Sequence, residues 1–130
     1  MIDVQFVIAI HDEILANEKG LSGIKSIASL QGALSRIDNQ MTYEPLDDIY
    51  LIAAFYGVAL ANAHAFNDGN KRTALVVMLT YLELQGVTIA QNTGLDELMV
   101  AVATKQLNFY GLANELKQRT FSPLPLNPFS

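Results

Sequence analysis

The stretch KRTALVVMLTYLELQ, residues 71–85, decides how the rest of the chain is read. Ala74, Leu75, Val76, Val77, Met78, Leu79 and Leu82 leave a helix drawn through it with almost no polar side, and Gly86 ends it. A helix that is apolar nearly all round belongs in an interior, covered by other elements. Its apolar run from Thr73 to Leu82 is too short for a bilayer, which takes about 20 residues. Its cover must therefore be protein.

The flanking segments supply that cover at helical spacing. Residues 3–17 carry Phe6, Val7, Ile10, Ile14 and Leu15 before Gly20 and Gly23 break the pattern. Residues 26–37 follow, with Ile27, Leu30, Leu34 and Ile37 as an apolar face. Residues 38–46 (DNQMTYEPL) read as a loop, polar at first and closed by Pro45, with room for a short hairpin. Asp47 and Asp48 suit the positive end of a helix that runs to about Asn62, and 64–70 is a polar loop. Beyond Gly86, Val87 to Ala90 reads as a short extended piece, with helices near 95–104 and 108–119.

No run is regular enough for a sheet. The expected class is all-α, a compact bundle of five or six helices around a central buried helix. Residues 1–120 form one domain, and 121–130 (FSPLPLNPFS) form a proline-rich tail that cannot be helical. Phe121, Leu124, Leu126 and Phe129 give that tail the means to pack back on the body.

Composition narrows the function. At 51% hydrophobic and 16% charged residues the chain is not intrinsically disordered. Cysteine is absent, which removes disulfides, thiolate metal sites and a cysteine nucleophile, and suits a reducing cytoplasm. A net charge of −5 argues against direct nucleic-acid binding, which needs clustered Lys and Arg. The N-terminus has no basic region and meets Asp12 and Glu13 too early for a signal peptide. A cytoplasmic location without membrane association is expected.

Between Arg36 and Lys105 the only basic residues are Lys71 and Arg72, directly after His64-Ala-Phe-Asn-Asp-Gly-Asn70. They fall at the start of the most buried helix, where the first N–H groups lack internal partners and the dipole is positive. Gly69 lets a ligand approach the backbone closely. Together these features suit a phosphate. Taken singly, each residue has a plainer reading: a solvated pair at Lys71 and Arg72, a helix-end histidine at His64, an Asp68-Gly69 turn, and an apolar plug at Phe66. Their combination within nine residues is what points to chemistry.

This stretch resembles the Fic/Doc family, and within it the death-on-curing (Doc) toxins. The Fic motif is His-x-Phe-x-(Asp/Glu)-Gly-Asn-Gly-Arg-x-x-Arg, and the Doc form is His-x-Phe-x-Asp-(Ala/Gly)-Asn-Lys-Arg. Here the chain reads His64-Ala-Phe66-Asn-Asp68-Gly69-Asn70-Lys71-Arg72. IAIHDEIL (8–15), GLSGI (20–24) and Gly86-Val87 are similar to Doc proteins in order and spacing, and His11 within the first of these reads as structural. The resemblance implies a toxin of a toxin–antitoxin pair, a kinase that uses ATP and Mg²⁺ to phosphorylate elongation factor Tu and arrest translation.

On that resemblance His64 is the general base and Asp68 holds Mg²⁺. Gly69, Asn70, Lys71 and Arg72 hold the phosphates, and Phe66 packs the motif against the core. Residues 40–46 sit where the family has a flap that clamps its target by strand addition, which makes Tyr43 and Glu44 candidates for target contact. Lys71 stands where AMP-transferring members have Gly, and Leu75 where they have a second Arg. Both departures are typical of Doc. AMP transfer to a protein hydroxyl and non-catalytic nucleotide or partner binding remain the alternatives. The inhibitory Ser/Thr-x-x-x-Glu-Gly/Asn helix of self-restrained members has its nearest match in Thr93-Gly-Leu-Asp-Glu97, followed by Leu98, and is read as absent. Restraint would then come from a cognate antitoxin that folds on binding.

Overall fold

A computed structural model of the chain describes residues 2–90 and 93–121. Among these, six helices follow one another: α1 (Val4–Asn17), α2 (Ile27–Tyr43), α3 (Ile49–Ala63), α4 (Asn70–Leu84), α5 (Leu95–Ala103) and α6 (Phe109–Gln118). Four begin at a side chain that accepts a first-turn N–H: Asp3 from Phe6, Ser26 from Ser29, Asp48 from Tyr50 and Asn108 from Gly111. Such caps satisfy donors the helix cannot satisfy itself. α4 and α5 start differently, each after a left-handed glycine (Gly69 and Gly94) and with no side-chain cap.

The fold is an all-α bundle with a buried centre. α4 buries Thr73, Ala74, Leu75, Val77, Met78, Tyr81 and Leu82. It shares the centre with α3, which packs on α2, α4, α5 and α6, while α4 packs on α1, α3 and α5. α3 has no charged residue and brings small side chains to its neighbours. A Cβ on Gly57 would lie 2.7 Å from Met78 Sδ and 3.3 Å from Leu112 Cδ2, so any larger residue there would force the side chains of α4 and α6 to shift. The wide apolar surface of α3, rather than any single seam, makes it a second hub.

One expectation fails. Residues 38–43 are not a loop but the last turns of α2, which runs to Tyr43. Ile37 is buried and Met41 packs on the core, so the apolar i, i+4 spacing continues past the polar Asp38-Asn39 pair. Those two polar residues face solvent. Of the segment 40–46 expected to act as a strand-adding flap, 40–43 are helical, and 44–46 belong to the connection between α2 and α3.

Extended pairing is brief and lies elsewhere. Ile89 bridges Thr120, with Ala90 N–H donating to Arg119 O at 2.8 Å and Phe121 N–H to Thr88 O at 2.7 Å. Val87–Ala90 is thus the short extended piece the sequence suggests. The second bridge, Ile24 to Phe66, belongs to the site below. Phe121 is half exposed, and Leu124, Leu126 and Phe129 lie outside the described residues. Among the described residues no helix is long and apolar enough to cross a membrane.

Candidate functional site

The loop between α3 and α4 is built by local backbone needs. α3 ends when His64 takes a left-handed conformation (φ 50°, ψ 42°), which turns the chain sharply out of the helix. Ala65 and Phe66 then fold inward and are buried. The segment before α2 pairs with them: Lys25 and Ser26 N–H groups donate to Ala65 O at 2.8 and 2.9 Å, and Asn67 N–H donates to Gly23 O at 3.2 Å. Gly69, at φ 78°, makes the second sharp turn and opens α4. A Cβ there would lie 3.3 Å from Leu15 Cδ2 and 3.6 Å from the His11 ring.

Each side chain of the loop has a defined place. Asn70 closes it on itself, with Oδ1 accepting from Phe66 N–H at 3.0 Å and Nδ2 donating to Phe66 O at 2.9 Å. Phe66 is 3% exposed and stacks on His11, with ring centroids 3.8 Å apart. Asp68 Oδ1 accepts from Gly69 N–H at 2.9 Å, and its Oδ2 lies 3.4 Å from the Leu21 N–H. Lys71 and Arg72 are exposed in the first turn of α4. Arg72 lies between two carboxylates, 3.6 Å from Glu18 and 3.7 Å from Asp96.

These groups converge on one cavity of about 390 Å³. His64, Asn67, Asp68, Gly69, Asn70, Lys71 and Arg72 line it on one side, and Asp96, Met99, Val100 and Ala103 of α5 form the facing wall. The structure thus brings His64, Asp68, Gly69, Asn70, Lys71 and Arg72 together, with Phe66 buried beneath them. Tyr43 and Glu44 do not line it. Tyr43 closes α2 with its side chain 85% exposed, and Glu44 is the cap that follows.

The cavity suits a phosphate chain with a divalent cation. The uncapped start of α4 offers main-chain N–H groups, and Lys71 and Arg72 add positive charge. Among the described residues no group of three or more His, Cys, Asp or Glu side chains could hold a metal by itself. Mg²⁺ does not need one, since it prefers one or two carboxylates completed by phosphate oxygens and water. Asp68 is the carboxylate at hand.

Several contributors lie outside the motif. His11, Leu15 and Glu18 come from α1 and its cap at i, i+4, i+7 spacing, a helical periodicity that marks one face. Asp96 and the α5 wall carry no sequence signal that ties them to the loop.

Comparison with known proteins identifies relatives of this chain. A family model described as Fic/DOC family matches residues 1–82. The protein named "Protein kinase doc" of Escherichia phage P1 is 33% identical over 112 residues, covering 86% of this chain and 89% of its own length. "Toxin Doc" of Mycolicibacterium smegmatis is 41% identical over 61 residues, covering 45% of this chain and 47% of its own.

Proposed function

The chain belongs to the Fic/DOC family, and from that premise we propose that it is a Doc-type toxin acting as a protein kinase. The observation that carries this reading is the convergence of His64, Asp68, Lys71 and Arg72 on one cavity at the uncapped start of α4. The name of the phage P1 relative, a protein kinase, supports it.

In this reading ATP bound with Mg²⁺ supplies the phosphoryl group. His64 accepts the proton of the attacking protein hydroxyl, the role an imidazole fills near neutral pH. Asp68, tied to the Gly69 N–H, presents its carboxylate to the cation. The N–H groups that follow Gly69 at the start of α4 hold the terminal phosphate, while Lys71 and Arg72 offset its charge. Asn70, already committed to Phe66, holds the loop in shape. As the new oxygen–phosphorus bond forms, the bond to the bridging oxygen breaks and ADP leaves.

Two side chains favour γ-phosphate transfer over AMP transfer. Lys71 fills space beside the loop with a four-carbon stem and a point charge. Leu75, one turn on, is buried at 4% exposure and offers no guanidinium to distant phosphates. By family resemblance the target is elongation factor Tu, transfer halts translation, the site of action is the cytoplasm, and a cognate antitoxin restrains the chain. The test is to incubate the protein and a translation extract with ATP labelled at the α- or the γ-phosphate. Label is expected in a band of elongation-factor size from the γ position alone. Transfer from the α position would establish AMP transfer instead, and nucleotide binding without any transfer would make the chain a binding member.

A further inference from the structure

We infer that His11, on α1, is a positioning residue for the 64–72 loop, fixing the Asp68–Gly69 peptide from beneath. The inference rests on the reading of that loop as the catalytic one.

His11 is 1% exposed, yet it is neither a packing residue alone nor a surface histidine. Its Nε2 lies 2.7 Å from the carbonyl oxygen of Asp68, a contact spanning 57 residues of sequence. A carbonyl only accepts, so Nε2 carries the hydrogen and donates. The same ring lies over Phe66 at 3.8 Å with 9° between planes. Its edge also approaches Gly69 closely enough that a Cβ there would sit 3.6 Å from it. One side chain therefore touches three successive parts of the motif.

The choice of imidazole has a cost that packing does not explain. Nδ1 is buried without a hydrogen-bond partner, and the nearest charge, the exposed Asp12 carboxylate, is 3.6 Å away. A phenyl ring would fill the same space and stack on Phe66 without a buried, unpartnered ring nitrogen. What phenyl lacks is the donor to Asp68. That bond sets the plane of the peptide joining Asp68 to Gly69. It thereby aims the Gly69 N–H and fixes where the Asp68 carboxylate starts. Small errors in such placement are expensive for a reaction that depends on positioning.

The test uses the full chain with His11→Phe, which keeps the stack and loses the donor, and His11→Gln, which keeps a donor near the Nε2 position. Stability, amide hydrogen exchange over residues 64–70, and initial rates of γ-label transfer at varied ATP are measured together. His11→Phe is expected to melt no lower than the native chain while its 64–70 amides exchange faster. Its maximal transfer rate should fall on the order of 100-fold, with the KM for ATP nearly unchanged, and His11→Gln should restore most of the rate. Unchanged exchange in His11→Phe, an unchanged maximal rate, or a Gln variant no better than Phe would each overturn the inference. If His11→Phe does not fold, loss of 64–70 protection in a folded His11→Gln would overturn it, and retained protection would support it. If the native chain transfers no label, the kinase reading fails by itself, and the exchange comparison alone decides the role of His11.

Discussion

Asn70 and Phe66 are joined twice: the carboxamide of one accepts from the N–H and donates to the carbonyl of the other, at 3.0 and 2.9 Å. Phe66 is buried, so solvent cannot readily take over these partners. Asn70→Ala is expected to lower the unfolding free energy by about 1–3 kcal/mol, the range for stranding buried main-chain groups. Urea unfolding measures it. A variant as stable as the native chain would show that the loop keeps its shape by other means.

His64 tests the chemistry separately from the fold. Its left-handed backbone (φ 50°) is better tolerated by asparagine than by alanine. His64→Asn should therefore leave stability within about 0.5 kcal/mol, as for other exposed positions. Transfer should fall about 10²–10⁴-fold, the usual contribution of a general base. A folded variant with native transfer would remove His64 from the reaction.

Asp68→Asn keeps an oxygen for the Gly69 N–H and discards the charge. Calorimetric titration with ATP should show Mg²⁺ tightening binding to the native chain. A tenfold gain corresponds to about 1.4 kcal/mol, and the variant should lose most of it. Equal Mg²⁺ dependence in both proteins would take Asp68 out of the metal site.

What could be read from the sequence divides along locality. The clustering of the loop residues is legible because the motif lies within nine consecutive positions, and α4 because its apolar residues surround the whole helix. The end of α2 is hidden in the sequence because Asp38 and Asn39 look like a break, whereas they are the solvent face of a helix that Ile37 and Met41 hold to the core. The hold of His11 on Asp68, 57 residues away, has no local trace at all. Nor do the two carboxylates beside Arg72, which come from the end of α1 and the start of α5.

Asp48 gives a pH-dependent test remote from the cavity. It caps α3 through the Tyr50 N–H at 2.8 Å and pairs with Lys117 at 2.8 Å. Burial pushes its carboxyl up, but the Lys117 ammonium and the Tyr50 and Leu51 N–H groups outweigh that and leave it below the ordinary 3.8. A folded-state value below the unfolded one stabilises the native chain above the unfolded value and is lost as pH falls through the folded one. Asn caps as well as Asp, so Asp48→Asn isolates the charge. It should cost a few tenths to about 1 kcal/mol at pH 7, in the range of a partly exposed pair. The difference should shrink toward zero in acid, and the same difference at pH 7 and pH 2.5 would contradict this origin.

The meeting of α3 and α4 has a consequence of its own. α3 ends at Ala63 and α4 begins at Asn70, so the loop is strung between two helix ends of opposite polarity. His64 sits at the negative pole, and Gly69 to Arg72 sit at the positive one, each worth about half an elementary charge. A proton arriving on the imidazole and a phosphoryl group drawn to the start of α4 would each move toward the pole that favours it. That field belongs to the main chain. Replacing Lys71 or Arg72 removes mobile charge and leaves the field in place, so such variants would retain a residual grip on phosphate that no single side-chain substitution erases.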